Sequence, residues 1–313
     1  RVLFRSREKS TPNPETDPYI MQLPPNGNLF ETGRFWSKLQ DRGYSHGVTF
    51  EKSSGNSEQP ESKTFKAGYY VEYKTRSFNA RYLNYLYPGL FDPAVGEQLR
   101  VLPLDQVFAP NNISNNNGFV IEEGTTNQDS YKGSNLLSSA FVSSSFPMGK
   151  FNMSLGIRGE YNIQRIEALS NLGSPIKVNN PVFSPLPFMN TAYNFTDKSL
   201  LRVAYSRTVN RPEFRELAPF LYYQFEYEAG LFGNPNLKTA SINNLDFRYE
   251  FYPDRGEMIT VGSFFKQFNN PIETYLQITT ETPQLYFGNA GSAYSYGVEL
   301  EVKKSLASLG LSR

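Results

Sequence analysis

Residues 151–164, Phe-Asn-Met-Ser-Leu-Gly-Ile-Arg-Gly-Glu-Tyr-Asn-Ile-Gln, alternate between two kinds of side chain. The even positions carry no large apolar side chain, and only Gly159 interrupts the apolar set on the odd ones. That set is Phe151, Met153, Leu155, Ile157, Tyr161 and Ile163. Because successive strand side chains point to opposite faces, the pattern predicts a strand with one apolar and one polar face. The stretch is longer than the about 9–11 residues that a tilted membrane-spanning strand needs, so it indicates a transmembrane β-barrel.

The composition fits such a barrel and argues against several other classes. In 313 residues with a mean hydropathy of -0.50, no stretch approaches the roughly 20 apolar residues of a membrane helix. A barrel needs no such stretch, because only every second residue of its strands faces lipid. Aromatic residues make up 15% of the chain, which suits strands and interfacial belts. The net charge of +1 gives no reason to expect nucleic acid as a partner, and the absence of Cys excludes disulfides and thiolate metal sites.

The first six residues, Arg-Val-Leu-Phe-Arg-Ser, lack the apolar core of a signal peptide. They read like the translation of a common sequencing-library adapter end. We therefore expect residues 1–6 to be non-native, and we assign residues 7–313 to the barrel.

In the first third of the chain the alternation predicts three strands. Two of them, at about 30–39 and 44–52, would be joined by a turn at residues 40–43, and a third would run from Phe65 to about Leu83. Residues 84–134 contain four prolines and an Asn-rich run at 111–117, and they are predicted to form a long solvated loop region.

From residue 135 onward, strands are predicted on both sides of short turns at 147–150, 196–198 and 253–256. Long loop regions are predicted at about 168–183, 210–240 and 269–291. Short periplasmic turns and longer outer loops are the asymmetry of outer-membrane barrels. Aromatic residues bracket the short turns, where an interfacial girdle would lie. We therefore predict an all-β fold: a partial antiparallel transmembrane barrel of about 10–12 strands.

The two faces of these strands would meet different surroundings. Residues expected to face lipid are Phe151, Met153, Leu155, Ile157, Leu245, Phe247, Val298 and Leu300. Residues expected to face the barrel lumen are Arg158, Glu160, Asp246, Arg248, Glu299 and Glu301. A soluble β-sandwich would also alternate, but strand length, aromatic girdles and turn asymmetry favour the barrel.

The sequence offers little support for an enzyme. Its one histidine, His46, lies in a strand-like stretch, and no nucleophile elbow, phosphate-binding loop, dinucleotide fingerprint or EF-hand loop is present. Adjacent acids such as Glu122 and Glu123 need not converge on one substrate. We expect no catalytic residue, no metal site and no cofactor.

Residues 204–220, Ala-Tyr-Ser-Arg-Thr-Val-Asn-Arg-Pro-Glu-Phe-Arg-Glu-Leu-Ala-Pro-Phe, resemble the barrel of TonB-dependent receptors of the Bacteroidetes type. So do Gly-Asn-Pro-Asn-Leu-Lys at 233–238, Asn-Pro-Ile-Glu at 270–273 and Tyr-Gly-Val-Glu-Leu-Glu at 296–301. The similarity is good over roughly 135–304 and looser over 30–83. The family has a plug domain, a TonB box and a closing strand, and because none of them is recognised in this sequence we expect it to be a fragment of such a receptor.

The resemblance implies an outer-membrane receptor that takes up a scarce nutrient such as a siderophore, a cobalamin-like cofactor or an oligosaccharide. The family is energised by the inner-membrane TonB complex, which pulls on the plug domain. Expected partners are therefore TonB, outer-membrane lipid, the ligand and a surface lipoprotein. A passive outer-membrane channel and a soluble glycan-binding protein remain as alternatives.

The candidate ligand-binding segment is the outer loop after Asn210. Aromatic side chains supply large contact areas, and arginine binds carboxylates or phosphates, so the segment suits an organic or glycan ligand. The same residues could instead pack the loops together. The candidate binding residues are Arg211, Phe214, Arg215, Tyr222, Tyr223 and Tyr227.

Overall fold

The computed structural model describes residues 7–9, 19–21, 33–54, 63–87, 93–100, 102, 104–224, 229–278 and 283–305. Its strands are β1 Arg7–Lys9, β2 Tyr19–Met21, β3 Gly33–Ser54, β4 Lys63–Leu86, β5 Val120–Glu123, β6 Ser130–Met148, β7 Phe151–Leu169, β8 Pro175–Thr196, β9 Ser199–Asn210, β10 Leu221–Gln224, β11 Ala229–Phe232, β12 Ala240–Phe251, β13 Met258–Asn269, β14 Ile272–Gln277, β15 Gln284–Asn289 and β16 Ser292–Lys303. Three short helices are α1 Pro93–Arg100, α2 Leu104–Val107 and α3 Phe214–Leu217. No helix in these ranges is long and apolar enough to cross a membrane.

One antiparallel sheet of ten strands dominates the structure. Its strands follow the order β16-β13-β12-β9-β8-β7-β6-β4-β3, and β5 pairs with the C-terminal end of β4. We call the end of the sheet that carries the short turns its lower end and the opposite end its upper end. Within the described residues the sheet does not close, so β3 and β16 are its two edges. A separate four-stranded sheet, β10-β11-β15-β14, is built from the long connections. The prediction of a partial all-β barrel of about 10–12 strands is confirmed.

Over the half of the sheet next to the short turns, the register places most apolar side chains of the long strands on one face, which we call the outer face. One transverse row runs across eight strands through Phe65, Ser144, Leu155, Met189, Tyr205, Leu245, Phe265 and Tyr296. Side chains on this face are open to the surroundings; Ile157, for example, is 47% exposed and Val298 is 77% exposed. A broad apolar surface of this kind is the lipid-facing band of an outer-membrane barrel.

The opposite, inner face is polar over the same height, and several of its charges are paired with one another. Arg158 Nε lies 2.6 Å from Glu160 Oε1, and Arg202 Nε lies 2.9 Å from Glu250 Oε1. Arg248 contacts both Glu250 and Glu301. This division of faces agrees with the lipid-facing and lumen-facing residues expected from the sequence.

The polarity of both faces reverses along one row of residues. The row Arg42, Thr75, Ser134, Arg165 and Asn179 crosses five neighbouring strands from β3 to β8. Below it, toward the short turns, the outer face carries Tyr44, Tyr73, Leu136, Ile163 and Pro181. Above it, the outer face becomes polar, and apolar side chains such as Ala80, Tyr82, Tyr131, Ile166 and Val178 occupy the inner face. The strands therefore extend beyond the lipid band, and their upper parts bury the inner face.

The turn predicted at residues 40–43 is wrong, because the polar residues there belong to the region where the two faces exchange polarity. β3 passes straight through it and pairs with β4 over its whole length. Asp41 accepts two hydrogen bonds from Arg76, at 2.8 Å from Nε and 2.6 Å from Nη2. The polar run that suggested a turn is the part of a long strand that lies above the lipid band.

The loop predicted at about 168–183 is wrong for the same reason. β7 ends at Leu169 and β8 begins at Pro175, so the connection is only five residues, 170–174. The long region predicted at 84–134 is also partly folded. It contains α1, α2, β5 and a small core of Leu99, Val107 and Phe119. Within its Asn-rich run, Asn112 Nδ2 donates a hydrogen bond of 3.0 Å to the carbonyl oxygen of Gln106.

The three short turns were predicted well. β6 and β7 are joined by Gly149 and Lys150 alone, and Gly149 has a φ of 62° that favours glycine. Residues 197–198 join β8 to β9, and residues 252–257 join β12 to β13. These turns place the ends of six strands at one edge of the sheet, opposite the long connections.

A charge introduced on the outer face should cost far more than one on the inner face at the same height. In the full-length protein we expect Leu155→Lys to lower the free energy of unfolding by about 2–4 kcal/mol, because an ammonium near mid-membrane lies in hydrocarbon. Ser154→Lys, one residue away on the polar face, should cost less than about 1 kcal/mol. Reversible urea unfolding from lipid vesicles measures both, and equal losses would contradict the assignment of faces.

Candidate functional site

The segment after β9 folds back onto the upper inner face of the sheet instead of projecting away from it. α3 begins after Glu213, whose backbone N donates a 2.8 Å hydrogen bond to the side chain of Glu216, and the Glu213 carboxylate accepts in turn from the backbone of Glu216. This reciprocal capping satisfies donors at the start of a very short helix. The helix contains two of the predicted binding residues, Phe214 and Arg215, and it lies against the inner face of the sheet.

Arg211 is held by the inner face of the ten-stranded sheet, which we call the wall. Its Nη2 lies 2.5 Å from Glu160 Oε2, and Glu160 also accepts from Arg158. The Gln164 side chain, 5% exposed, donates a 2.7 Å hydrogen bond to the carbonyl oxygen of Pro212. The bond between Arg211 and Glu160 is charge-assisted and therefore stronger than the neutral bond from Gln164, and together they hold the start of the segment against β7. The structure therefore places Arg211 in an ion pair within the wall.

Phe214 and Phe220 belong to a packed core between the segment and the wall. The ring of Phe214 lies over Gly133, and the guanidinium of Arg76 is 5.5 Å from its centre. Phe220 packs edge-on against Phe78 at 4.8 Å and is 2% exposed. Leu217, Ala218 and Leu237 are buried in the same cluster. Phe214 thus contributes to packing at the site.

Arg215 and Tyr222 form a different arrangement. The Arg215 guanidinium stacks over the Tyr222 ring at 4.3 Å, and Tyr222 also meets Phe35 edge-on at 6.2 Å. Burial lowers the pKa of Arg215, although the group stays charged. No carboxylate lies within 4.0 Å of Arg215 among the residues that the structure describes. The pair is a partly buried cation on an aromatic platform, with no ion-paired carboxylate among the described residues.

The two remaining predicted residues are less well defined. Tyr223 lies in β10, where its Cα is paired with that of Gly230 in β11. Tyr227 lies outside the described residues. Tyr82, which was not predicted, connects β10 to the wall because its hydroxyl donates a 2.9 Å hydrogen bond to the carbonyl oxygen of Leu221.

A second motif clamps the segment from the other side. The backbone N of Asn234 lies 2.5 Å from the carbonyl oxygen of Glu216, and Asn234 Nδ2 donates to Phe287 O at 3.0 Å. A Cβ on Gly233 would lie 1.7 Å from Ala218 O, so only glycine fits there. Asn289 Nδ2 bonds to the carbonyl oxygens of Lys238 and Asn270. Residues of three separate family motifs therefore hold one another in place.

The sequence reasoning missed the wall residues that receive this segment. Glu160 and Gln164 were visible only as members of the polar face, because nothing in the sequence says which polar residue meets a distant loop. The structure also supplies a cleft of about 350 Å³ between wall and segment, and Asp41, Lys74, Arg76, Gln164 and Phe214 are among its lining residues.

Metal-binding side chains are not clustered in the described ranges. These ranges contain no cluster of three or more His, Asp or Glu side chains that could hold a metal ion. His46 lies on the outer face, where its Nδ1 is 3.2 Å from the hydroxyl of Tyr69. A histidine on a lipid-facing surface is poorly placed to act on a water-soluble substrate.

Gly233→Ala should loosen the clamped segment. The new methyl group would displace the Ala218 carbonyl, at a cost of about 1–3 kcal/mol for overpacking. In the full-length protein we expect faster hydrogen exchange of the backbone amides between residues 214 and 238. Gly291→Ala is the matched control, because its Cβ would meet nothing within 4 Å. Equal exchange in the two variants would show that the Gly233 contact does not hold the segment.

Comparison with solved structures finds outer-membrane receptors and transporters, and the match to FecA shows a shared fold. The unliganded ferric citrate transporter FecA matches with a TM-score of 0.51 at 13% identity, over 93% of this chain and 35% of that one. The siderophore receptor PirA of Pseudomonas aeruginosa matches with a TM-score of 0.38 at 14% identity, over 87% and 56%. The hemophore receptor HasR of Serratia marcescens, solved with its hemophore HasA and heme, gives 0.47 at 12% identity, over 92% and 51%. This chain thus spans about a third to just over half of each.

A search of curated protein sequences finds no match. The model of the outer membrane protein beta-barrel family, in contrast, matches residues 42–309. The family model and the match to FecA confirm the resemblance to TonB-dependent receptor barrels at the level of the fold. The chain belongs to the outer membrane protein beta-barrel family, and its place is the bacterial outer membrane.

Proposed function

We propose that the intact protein is an outer-membrane receptor that takes up a scarce nutrient under the control of the TonB complex. Candidate ligands are an iron chelate, a cobalamin-like cofactor or an oligosaccharide, each too large for a porin. The energy would reach the barrel through a plug domain. The protein would act as a transporter with no catalytic step of its own.

The observation that carries this proposal is the stacked pair of Arg215 and Tyr222. A partly buried guanidinium that has no carboxylate within 4.0 Å in the part of the chain that the structure describes favours binding of an anionic or strongly polar group. The tyrosine ring adds a large flat surface that suits an aromatic or sugar moiety. Both residues lie at the end of the sheet that carries the long connections, which is the outer end in this class of barrel.

The position of the 211–223 segment also favours a receptor over an open pore. The segment covers the inner face with an apolar core instead of leaving a hydrated wall. Arg211 and Phe214 would then support the site by holding the segment, while Arg215 and Tyr222 would touch the ligand. Tyr223 and Tyr227 are retained as candidate contacts on sequence grounds.

A passive channel is the second candidate, because the apolar outer face and paired inner charges suit either protein. The coding sequence upstream of residue 7 separates the two. A signal peptide, TonB box and plug-sized domain would support active uptake, whereas a signal peptide leading directly into strands would support a channel. The soluble alternative is wrong, since the family lies in the outer membrane.

Replacing the stacked pair should weaken uptake without removing the barrel. In a deletion strain complemented with the full-length gene, we expect Arg215→Ala and Tyr222→Ala each to raise the nutrient concentration for half-maximal growth. The increase should be roughly tenfold or more for Arg215, because hydrogen bonds to charged groups contribute about 1.5–3 kcal/mol. Growth is scored separately on ferric chelates, cobalamin and oligosaccharides as the limiting nutrient.

Arg255→Ala, in an exposed short turn at the other end of the sheet, is the control and should grow like the wild type. Growth that is unaffected by both site substitutions would contradict the ligand site. Uptake that persists in a strain lacking TonB would contradict energised transport and leave the passive channel.

A further inference from the structure

The outer face above the lipid band carries a cluster of basic side chains on adjacent strands. Arg42 and Arg165 lie in the row where the polarity reverses, and Lys132 and Lys177 lie in the next row up. All four side chains are exposed. We call these four residues the basic belt.

The belt has few acidic partners. Glu167 stands between Lys132 and Lys177 in the register and is the acid of that row. Arg165 Nε donates a 3.1 Å hydrogen bond to Asn179 Oδ1, which leaves its charge unneutralised. No described carboxylate lies within 4.0 Å of any of the four cations. Four positive charges against one negative charge leave this strip of the outer face strongly basic.

A groove lies within the belt. It has a volume of about 400 Å³ and runs across β4, β6, β7 and β8 on the outer side of the sheet. Hydroxyl and amide groups line it beside the two lysines. Its polar lining includes Ser77, Asn79, Ser130, Lys132, Glu167 and Lys177.

The level of the basic belt relative to the apolar band identifies the part of the membrane that it faces. The row directly below it is the last apolar row, with Tyr44 and Tyr73 at its β3 and β4 positions, and tyrosine side chains mark the level of the headgroups. The long connections continue above the belt, so this boundary is the outer one. Cations at a membrane boundary attract anionic headgroups, and amino groups beside hydroxyls suit a phosphate carried on a sugar.

We propose that the basic belt binds the phosphorylated headgroup of an outer-leaflet glycolipid. The acyl chains would lie along the apolar outer face below, over Leu136, Ile163 and Pro181. Lys132 and Lys177 would contact the phosphate groups, Arg165 and Arg42 would supply further charge, and the groove would accept part of the sugar. The inference depends on the outer-membrane location and not on which nutrient the protein takes up.

The test uses the full-length protein in detergent, titrated with bis-phosphorylated lipid A and followed by native mass spectrometry. Each cation at a membrane surface contributes about fivefold to the affinity for anionic lipid. The double variant Lys132→Gln, Lys177→Gln should therefore bind lipid A roughly 30-fold more weakly. The control is Lys238→Gln, Lys303→Gln, which removes the same charge from two exposed lysines outside the outer face and should bind like the wild type.

Two further ligands distinguish the source of the phosphate. Dephosphorylated lipid A should bind weakly to every variant, and inorganic phosphate should not displace the bound lipid. Equal affinity of the double variant and its control would overturn the proposal. So would equal binding of dephosphorylated lipid A, or displacement by inorganic phosphate, because the belt would then recognise the acyl chains alone or any free anion.

Discussion

The structure depends on one constraint: each long strand passes from hydrocarbon into water, and its outer face must suit both. A side chain in lipid must be apolar, whereas one above the membrane is best polar. The register satisfies this by placing Arg42, Thr75, Ser134, Arg165 and Asn179 in a single transverse row. Because strand side chains alternate, the inner face is free to reverse in the opposite sense at the same height.

The reversal on the inner face explains why a loop can fold there. Below the row, the inner wall carries paired charges such as Arg158 with Glu160, which suit a hydrated interior. Above it, Tyr82, Ile166 and Val178 provide an apolar surface that a segment from the long connections can cover. Arg211 joins the two zones, because it follows directly after β9 and pairs with Glu160. The most recognisable motif of the sequence is therefore placed by the wall beneath it.

Much of the fold could be predicted from the sequence, since alternation, strand length and turn chemistry are local properties. The turns at Gly149 and at residues 253–256 and the division of faces on β7 are examples. Two of the failures, the turn at residues 40–43 and the loop at about 168–183, share one physical cause, which is that the alternation inverts its phase where the strands leave the lipid band. On β7 the pattern breaks at Gln164 and so predicts a loop. In fact the strand continues with inverted phase through Arg165, Ile166 and Glu167.

The candidate site shows the complementary limit. Residue type could indicate that Arg211 and Arg215 bind carboxylates or anions, but it could not say which of them already has a partner inside the protein. That depends on contacts across 51 residues between Arg211 and Glu160, which no local pattern encodes. Arg215 differs from Arg211 only in its neighbours. Its charge stacks on Tyr222 and lacks a described acid, which makes it the stronger candidate for ligand contact.

The prolines of β8 show how the same constraint acts on the backbone. Pro175, Pro181, Pro185 and Pro187 are all odd-numbered, so their nitrogens point to the same edge of the strand. Asn194 N, at an even position, bonds toward β7, so the prolines point toward β9. β9 pairs with β8 only from Phe188 onward, which leaves this edge open. Proline removes four of the N–H groups that such an edge would leave unsatisfied, so the wall can divide above Phe188 with fewer unpaired donors.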